Sequence, residues 1–123
     1  MKPELLSVIP VLPTANLERD VAWYEEHTGF KTMYAANGYA VLRRGNIGIH
    51  LQWHADTPED PLLGGSVARF SVKNLKILFE EFIERGTVTK EKWLANTPWQ
   101  TNEFGFYDLN NNALIFLEDL MEE

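Results

Sequence analysis

The sequence predicts an α+β fold made of one β-α-β-β-β unit that occurs twice. Two stretches carry the repeat, residues 39–52 and 104–117, and each consists of two short apolar runs joined by a polar turn. Each stretch follows an Asn-Leu step that opens an amphipathic segment closed by glycine. The 123 residues are therefore expected to form one domain, with module one at residues 1–60 and module two at residues 64–123.

Module one begins with a predicted strand at residues 5–12, which are rich in branched apolar side chains. A helix is expected from Asn16, its N-cap, to Gly29, because apolar residues recur between them at i, i+4 and i+7. A short strand and a hairpin complete the module, at residues 30–34, 39–43 and 47–53.

Module two repeats this order with one difference in its middle. A strand is predicted at residues 66–72, and a helix runs from Asn74, its expected N-cap, to Gly86. A short strand at residues 87–89 and an aromatic loop at residues 91–101 follow. The last hairpin is expected at residues 104–107 and 113–118.

Composition excludes several classes of protein. The net charge of −7 disfavours nucleic acid as a partner, because phosphate contacts need clustered lysine and arginine. No apolar run is long enough to span a membrane, and the first 13 residues do not have the pattern of a signal peptide. The chain has no cysteine, which fits a reducing compartment, so we expect a cytoplasmic protein.

The order of several short motifs resembles a known superfamily. Residues 9–17 lead to Trp23-Tyr24 and then to Thr28-Gly29-Phe30. Pro98-Trp99, Glu103-Phe104 and a polar turn at residues 108–112 follow in the second half. In this order and spacing, the chain resembles the vicinal oxygen chelate superfamily of glyoxalases, bleomycin-resistance proteins and dioxygenases. The Pro-Trp and Glu-Phe steps are most similar to the bleomycin-resistance branch.

The resemblance implies an architecture and a mode of action. Members of the superfamily form a curved mixed sheet, or cup, with the helices on its convex side, and the ligand lies in the concave face. Members of the bleomycin-resistance branch are small homodimers, often with exchanged modules, that bind a drug without chemistry. Trp99 corresponds to the tryptophan that lines the drug cleft in that branch.

The same resemblance bears on metal binding, because the enzymes of the superfamily hold a divalent metal with side chains from four strands. The corresponding positions here are Ile9, His50, Val67 and Ile115. One imidazole among three aliphatic side chains is too small a donor set for such a cation. We therefore expect no metal ligands, no cofactor and no catalytic residues. A one-residue slip in the last strand would bring Glu118 to the site, since strand register decides the face.

Strand alternation predicts which side chains face the cup. On residues 47–53 the alternation leaves His50 and Gln52 on the cup side, and on residues 67–72 it leaves Arg69 there. These three polar groups among aliphatic walls fit a small-molecule pocket. The alternative is that they satisfy one another or face a dimer interface. An unpaired Arg69 would also repel a cationic drug.

Aromatic residues supply the remaining candidates for ligand binding. Trp93 and Trp99 lie in a loop, where core packing is a weaker explanation than stacking on a planar ligand. Secondary candidates on the strands at the cup rim are Tyr39, Phe104 and Phe106. Glu103 and Asp108 flank a strand and could carry acid–base chemistry, but surface carboxylates at strand ends are common.

These observations lead to one hypothesis and two alternatives. The leading hypothesis is a non-catalytic homodimer that sequesters an aromatic, antibiotic-like small molecule and so confers resistance. The first alternative is an enzyme of the same superfamily, with a misplaced metal site or with His50 as general base. The second is a structural or partner-binding module whose cup is filled by aliphatic side chains.

Overall fold

Two modules pack against each other through their helical sides in the computed structural model, which describes residues 1–121. The elements of module one are β1 (Val11–Thr14), α1 (Leu17–Thr28), β2 (Lys31–Ala36), β3 (Tyr39–Arg44) and β4 (Ile47–Trp53). The elements of module two are β5 (Val67–Ser71), α2 (Leu75–Glu84), a 3₁₀ turn (Lys90–Lys92), β6 (Thr101–Tyr107) and β7 (Ala113–Asp119). The last two residues of the predicted module two lie outside the described residues.

Each module contributes one mixed sheet. The first sheet has the order β1-β4-β3-β2, with β1 parallel to β4 and the other pairs antiparallel. The second has the order β5-β7-β6, with β5 parallel to β7 and β6 antiparallel to it. The α+β class predicted from the repeat is confirmed, but the second copy of the unit is one strand shorter than the first.

The first strand lies later in the sequence than predicted. It spans Val11–Thr14 instead of residues 5–12, and Leu5, Leu6 and Val8 are almost fully exposed. The carbonyl of Pro10 accepts a hydrogen bond from His50 N, at 3.0 Å. Proline has no N–H to donate, so the ladder with β4 cannot continue toward the N-terminus.

The short strand predicted at residues 87–89 does not form. The backbone N–H groups of Thr87 and Val88 both donate to the carbonyl of Phe82 at the end of α2, and the Thr87 hydroxyl donates to the carbonyl of His27. These bonds hold the segment on the helical side. A single antiparallel bridge between Leu94 and Glu103 takes the place of the fourth strand.

The two helices begin differently, although an asparagine precedes each. The Asn16 Oδ1 accepts from Arg19 N at 3.0 Å, and Gly29 ends α1 in the left-handed region, as predicted. Asn74 makes no side-chain cap and has a φ of 58°. The carboxylate of Glu118 caps α2 instead, by accepting from the backbone N–H groups of Asn74 and Leu75.

Strand alternation separates a core face from an open face, by which we mean the sheet face turned away from the helices. Ile49 and Leu51 on β4, and Ala68 and Phe70 on β5, are buried toward the helices, as the alternation predicts. The intervening side chains lie on the open faces. The main ones are Tyr39, Val41, Arg43, Gly48, His50 and Gln52 in the first sheet and Val67, Arg69, Ser71, Glu103 and Ile115 in the second.

A buried polar network joins the modules. The Tyr24 hydroxyl donates to Asp108 at 2.6 Å, and Asn110 Nδ2 donates to Asp20 at 2.6 Å. The Asn112 amide donates to the carbonyl of Pro13 at 3.0 Å. Asp108 is 5% exposed, so its interpretation as a surface carboxylate is wrong. Burial and the adjacent Asp108 raise the pKa of the Tyr24 hydroxyl well above its ordinary value.

Neither helix within residues 1–121 has the length and apolar character required to cross a membrane.

Candidate functional site

An exposed tryptophan and a buried carboxylate stand together on the open face of the second sheet. Glu103 on β6 alternates with the core residue Phe104 and is 6% exposed, whereas Trp99, in the loop before β6, is 56% exposed. The Trp99 Nε1 donates to Glu103 Oε2 at 3.0 Å. The indole is therefore fixed at one edge by a hydrogen bond while much of its surface remains available to a ligand.

Glu103 is the acceptor of a convergent set of donors. The Thr101 hydroxyl donates to Oε2 at 2.5 Å, and the Arg69 guanidinium spans both carboxylate oxygens at 3.2 and 3.3 Å. Burial opposes ionisation of the carboxyl, but the hydrogen bonds from Arg69, Thr101 and Trp99 outweigh burial and hold the pKa of Glu103 below its usual value. The carboxylate is thus ionised at neutral pH.

A tight turn positions Trp99. Thr97 N donates to the carbonyl of Thr101 at 2.9 Å, and the two threonine hydroxyls lie 2.7 Å apart. Gln100, between them, has a left-handed φ of 65°. Both threonines are buried, so water does not compete for the hydrogen bonds that stabilise the turn.

On the open face of the first sheet, an imidazole and a phenol form a pair. His50 Nδ1 lies 2.7 Å from the Tyr39 hydroxyl, and the two rings meet edge to face with centroids 5.3 Å apart. Gln52 stands directly opposite Tyr39 in the antiparallel pairing and is exposed. The three predicted residues of this sheet therefore lie on one face.

The two open faces meet at a cavity of about 450 Å³. This seam cavity lies where β4 of the first sheet approaches β5 of the second, and residues 7–10 close one side. It is lined by both His50 and Arg69, which the sequence places 19 positions apart.

Three predicted residues lie away from the open faces. Phe104 is 2% exposed and packs in the core against Phe79, Phe82 and Phe116. Phe106 also faces the helices, with its ring 5.6 Å from that of Phe82. The expectation that these two side chains line the cup is wrong. Glu103 faces the open side of β6, so Phe104 and Phe106, which are one and three residues further along the strand, face the core.

Trp93 belongs to the helical side. Its ring lies 5.0 Å from Phe79, and the Lys76 ammonium stands 4.6 Å above it. The loop that carries Trp93 and Trp99 thus sends one indole to α2 and the other to the open face.

Glu103 is the residue that the sequence analysis missed. A signal was present, since Phe104 beside it is a strong core residue and alternation then gives Glu103 the opposite face. Its position at a strand end obscured this, because β6 begins at Thr101, three residues earlier than expected.

The positions that hold a metal in superfamily enzymes do not fit one here. Ile9 and Val67 are exposed aliphatic side chains, Ile115 is aliphatic, and His50 is engaged by Tyr39. Glu118 lies on the helical side and caps α2. Among residues 1–121, no three His, Asp or Glu side chains converge in a way that could hold a metal ion.

Comparisons with known proteins show which proteins this chain is similar to and which fold it shares. No family model matches the chain. The bleomycin resistance protein of Geobacillus stearothermophilus is 24% identical over 131 residues, covering 94% of this chain and 98% of that protein. Two solved structures show the same fold. A bleomycin-binding protein in complex with bleomycin superposes with a TM-score of 0.75 at 17% identity, covering 94% of this chain and 99% of the other. A glyoxalase/bleomycin resistance protein/dioxygenase from Nocardioides gives 0.74 at 17% identity, covering 99% and 89%.

The sequence similarity and the shared fold confirm the resemblance seen in the motifs. The chain is similar over 94% of its length to a bleomycin resistance protein and has the fold of a bleomycin-binding protein and of a glyoxalase/bleomycin resistance protein/dioxygenase.

Proposed function

We propose that this protein sequesters a planar, cationic antibiotic of the bleomycin class on the open face of its second sheet. The observation that carries the proposal is the pair of Trp99 and Glu103. An exposed indole presents a flat surface for stacking, and an ionised carboxylate stands 3.0 Å from its Nε1. Such a pair suits a ligand that is both aromatic and positively charged.

The charge of the site supports a cationic ligand. Arg69 alone would repel a cation, but its guanidinium is paired with Glu103, so its charge is largely compensated locally. The net charge of the chain is −7, which favours the approach of cations over distances of about one Debye length, roughly 8 Å at physiological salt. Arg69 therefore repels a cationic drug less than an unpaired arginine would.

The relatives support the same ligand class. The Geobacillus stearothermophilus protein is a bleomycin resistance protein, and one structure of the same fold is a bleomycin-binding protein in complex with bleomycin. Neither the positions compared above nor the open faces offer a donor set for a divalent metal. Non-covalent binding is the function that these residues support best.

We further infer that the protein works as a homodimer. Leu5, Leu6 and Val8 are 98%, 83% and 94% exposed, and Val67 on the open face of β5 is 61% exposed. Apolar side chains exposed in this number mark an association surface. A second copy would cover the N-terminal residues and close the open faces into a cleft, which would bury more of a drug than one sheet alone.

Calorimetric titration with metal-free bleomycin tests the ligand proposal. We expect Trp99→Ala to weaken binding by about tenfold, because it removes one stacking surface and one cation–π contact. Trp53→Ala is the matched control, since Trp53 is also exposed, at 46%, but its Nε1 donates to the carbonyl of Ala15, away from Glu103. Equal affinity of the Trp99→Ala and Trp53→Ala variants would contradict the proposal.

Two further measurements separate the competing hypotheses. Bleomycin recovered from the complex should have an unchanged mass, whereas a general-base role for His50 would yield a modified product. Sedimentation equilibrium should give twice the chain mass of 14.2 kDa. Monomeric protein with full affinity for the drug would overturn the dimer inference and leave the ligand proposal intact.

A further inference from the structure

The seam cavity is basic although the chain is acidic. Its lining carries Arg43, His50 and Arg69, together with polar groups from serine and asparagine, and among the described residues it contains no aspartate or glutamate. The chain as a whole has 18 acidic and 11 basic residues. The lining therefore carries more positive than negative side chains, although Glu103 behind it pairs with Arg69.

Arg43 is the cation of this cavity that has no partner. It stands opposite Gly48 on β4 and opposite Lys31 on β2, so no carboxylate faces it from either neighbouring strand. Unlike Arg44, which pairs with Glu81 at 2.7 Å, it forms no ion pair with another residue of the described range. Its guanidinium therefore keeps its five donors for a ligand.

His50 and Arg69 each have hydrogen-bond donors that no other residue of the described range engages. Tyr39 engages only the Nδ1 of His50, which leaves Nε2 for the cavity. The Arg69 nitrogens lie 3.2 and 3.3 Å from the Glu103 oxygens, and a charge-assisted bond is ordinarily about 2.7–2.9 Å. Glu103 offsets the charge of Arg69, but the guanidinium retains N–H groups that do not face Glu103 and can donate to a ligand.

We propose that the seam cavity binds a small organic anion. Its oxyanion, a carboxylate or a phosphoryl group, lies between Arg43 and Arg69 and accepts from His50 Nε2. Guanidinium groups recognise such oxyanions in bidentate fashion. A compact apolar body packs against the aliphatic lining, which consists of Val8, Ile9, Val41, Ile47 and Val67. This site goes beyond the proposed drug site, since it requires the opposite ligand charge and does not involve Trp99.

Calorimetry with three probes that share a phenyl ring tests the charge requirement, and two of them, benzoate and benzamide, also have the same planar shape. Benzoate and phenylphosphonate should bind to the full-length protein, and the relative strength of the two identifies the preferred oxyanion. Benzamide, which is neutral, should not bind measurably. Equal binding of benzamide and benzoate, or no binding of either anion, would overturn the proposal.

Two variants test the position of the site. Arg43→Gln should weaken binding of the preferred anion by about tenfold or more, because a hydrogen bond to a charged group is lost. Lys92→Gln makes the same change of net charge at an exposed position outside the cavity and should leave the affinity unchanged. Equal losses in both variants would show a general charge effect and refute the site.

Gly48→Val tests the cavity without altering charge. A Cβ at Gly48 would meet only Leu42 O at 3.7 Å and Ile9 Cγ2 at 3.9 Å, so the first side-chain atom fits without a clash, and the two methyl groups of valine add bulk opposite Arg43. We expect the anion affinity to fall while circular dichroism and bleomycin binding are retained. Trp99→Ala should show the reverse pattern, which separates failure of this site from failure of the proposed drug site.

Discussion

The two copies of the repeated unit differ most at the edge where the fourth strand should lie. In module one, β2 completes the sheet beside β3. In module two, the corresponding edge of β6 meets only the single bridge between Leu94 and Glu103. The freed chain forms the loop that brings Trp99 to the open face and Trp93 to α2.

The two open faces also present different functional groups. The first sheet presents an imidazole, a phenol and an unpaired guanidinium, with no carboxylate on the pairs from Tyr39 to Arg43. The second presents an ionised carboxylate beside an exposed indole. The two proposed sites therefore differ in charge preference, and the loop that stands in place of the fourth strand of module two carries the tryptophan of one of them.

The largest expected effect comes from breaking the network that joins the modules. Asp20 is 1% exposed and accepts from Thr14, from Asn110 Nδ2 at 2.6 Å and from Arg19 Nε at 2.7 Å. Asp20→Ala leaves these donors without an acceptor and should lower the free energy of unfolding by about 3 kcal/mol. Urea unfolding measures the change.

Glu18→Ala is the control for Asp20→Ala. Glu18 is an exposed residue in the same first turn of α1, so its loss should cost less than about 1 kcal/mol. Equal stability of the two variants would show that the hydrogen bonds of Asp20 do not stabilise the contact between the modules.

The two loop tryptophans should separate stability from binding. Trp93→Ala removes packing against Phe79 and should lower the free energy of unfolding by about 2 kcal/mol, less than for a fully buried tryptophan. Trp99→Ala should change it by less than about 1 kcal/mol, since the side chain is largely exposed. Thermal or urea unfolding of both variants decides this, and the opposite ranking would reverse the assignment of the two rings.

Acid should weaken the ion pair that links β3 to α2. The hydrogen bond from Arg44, assisted by Arg85, lowers the pKa of Glu81 from 4.5 to about 2. Because the folded pKa lies below the unfolded one, this stabilisation is full above pH 4.5 and is lost as the pH falls toward 2. Glu81 is one-third exposed, so solvent screening leaves about 1–2 kcal/mol.

Urea unfolding between pH 7 and pH 2 tests this contribution. The wild-type protein should lose more stability than Glu81→Gln over that range, because the variant has no carboxylate to protonate. Glu84→Gln, at an exposed position of the same helix, should behave like the wild type. Parallel profiles for all three proteins would refute the role of Glu81.

The smallest expected change in stability comes from replacing one glycine on each open face by alanine. A Cβ at Gly105 would lie 3.1 Å from both Ile115 Cγ1 and the backbone oxygen of Leu114. Gly105→Ala should therefore lower stability by about 1 kcal/mol, through local overpacking. Gly48→Ala has no contact closer than 3.7 Å and should be neutral or slightly stabilising, since alanine restricts the unfolded chain. A larger loss at Gly48 would mean that the seam is more tightly packed than described.

Much of the fold could be predicted because its signals are local. Alternation along β4 correctly assigned Ile49 and Leu51 to the core and His50 to the open face. The duplicated turns predicted two modules, and the Asn16 cap and Gly29 located α1. Strand ends were less predictable, because they depend on pairing with another strand. Pro10 has no N–H to donate to β4, so the hydrogen bonds between β1 and β4 stop there.

The sequence by itself determined the fold class and the faces of the central strands, because these depend on periodicity and on residues close together along the chain. The tertiary structure alone decided which charged groups meet. Arg69 and Glu103 are 34 positions apart, and α2 is capped by Glu118, which lies 44 positions beyond Asn74. No periodic pattern encodes such distant pairs, since ion pairing and burial depend on how the two sheets and their connecting loops finally pack.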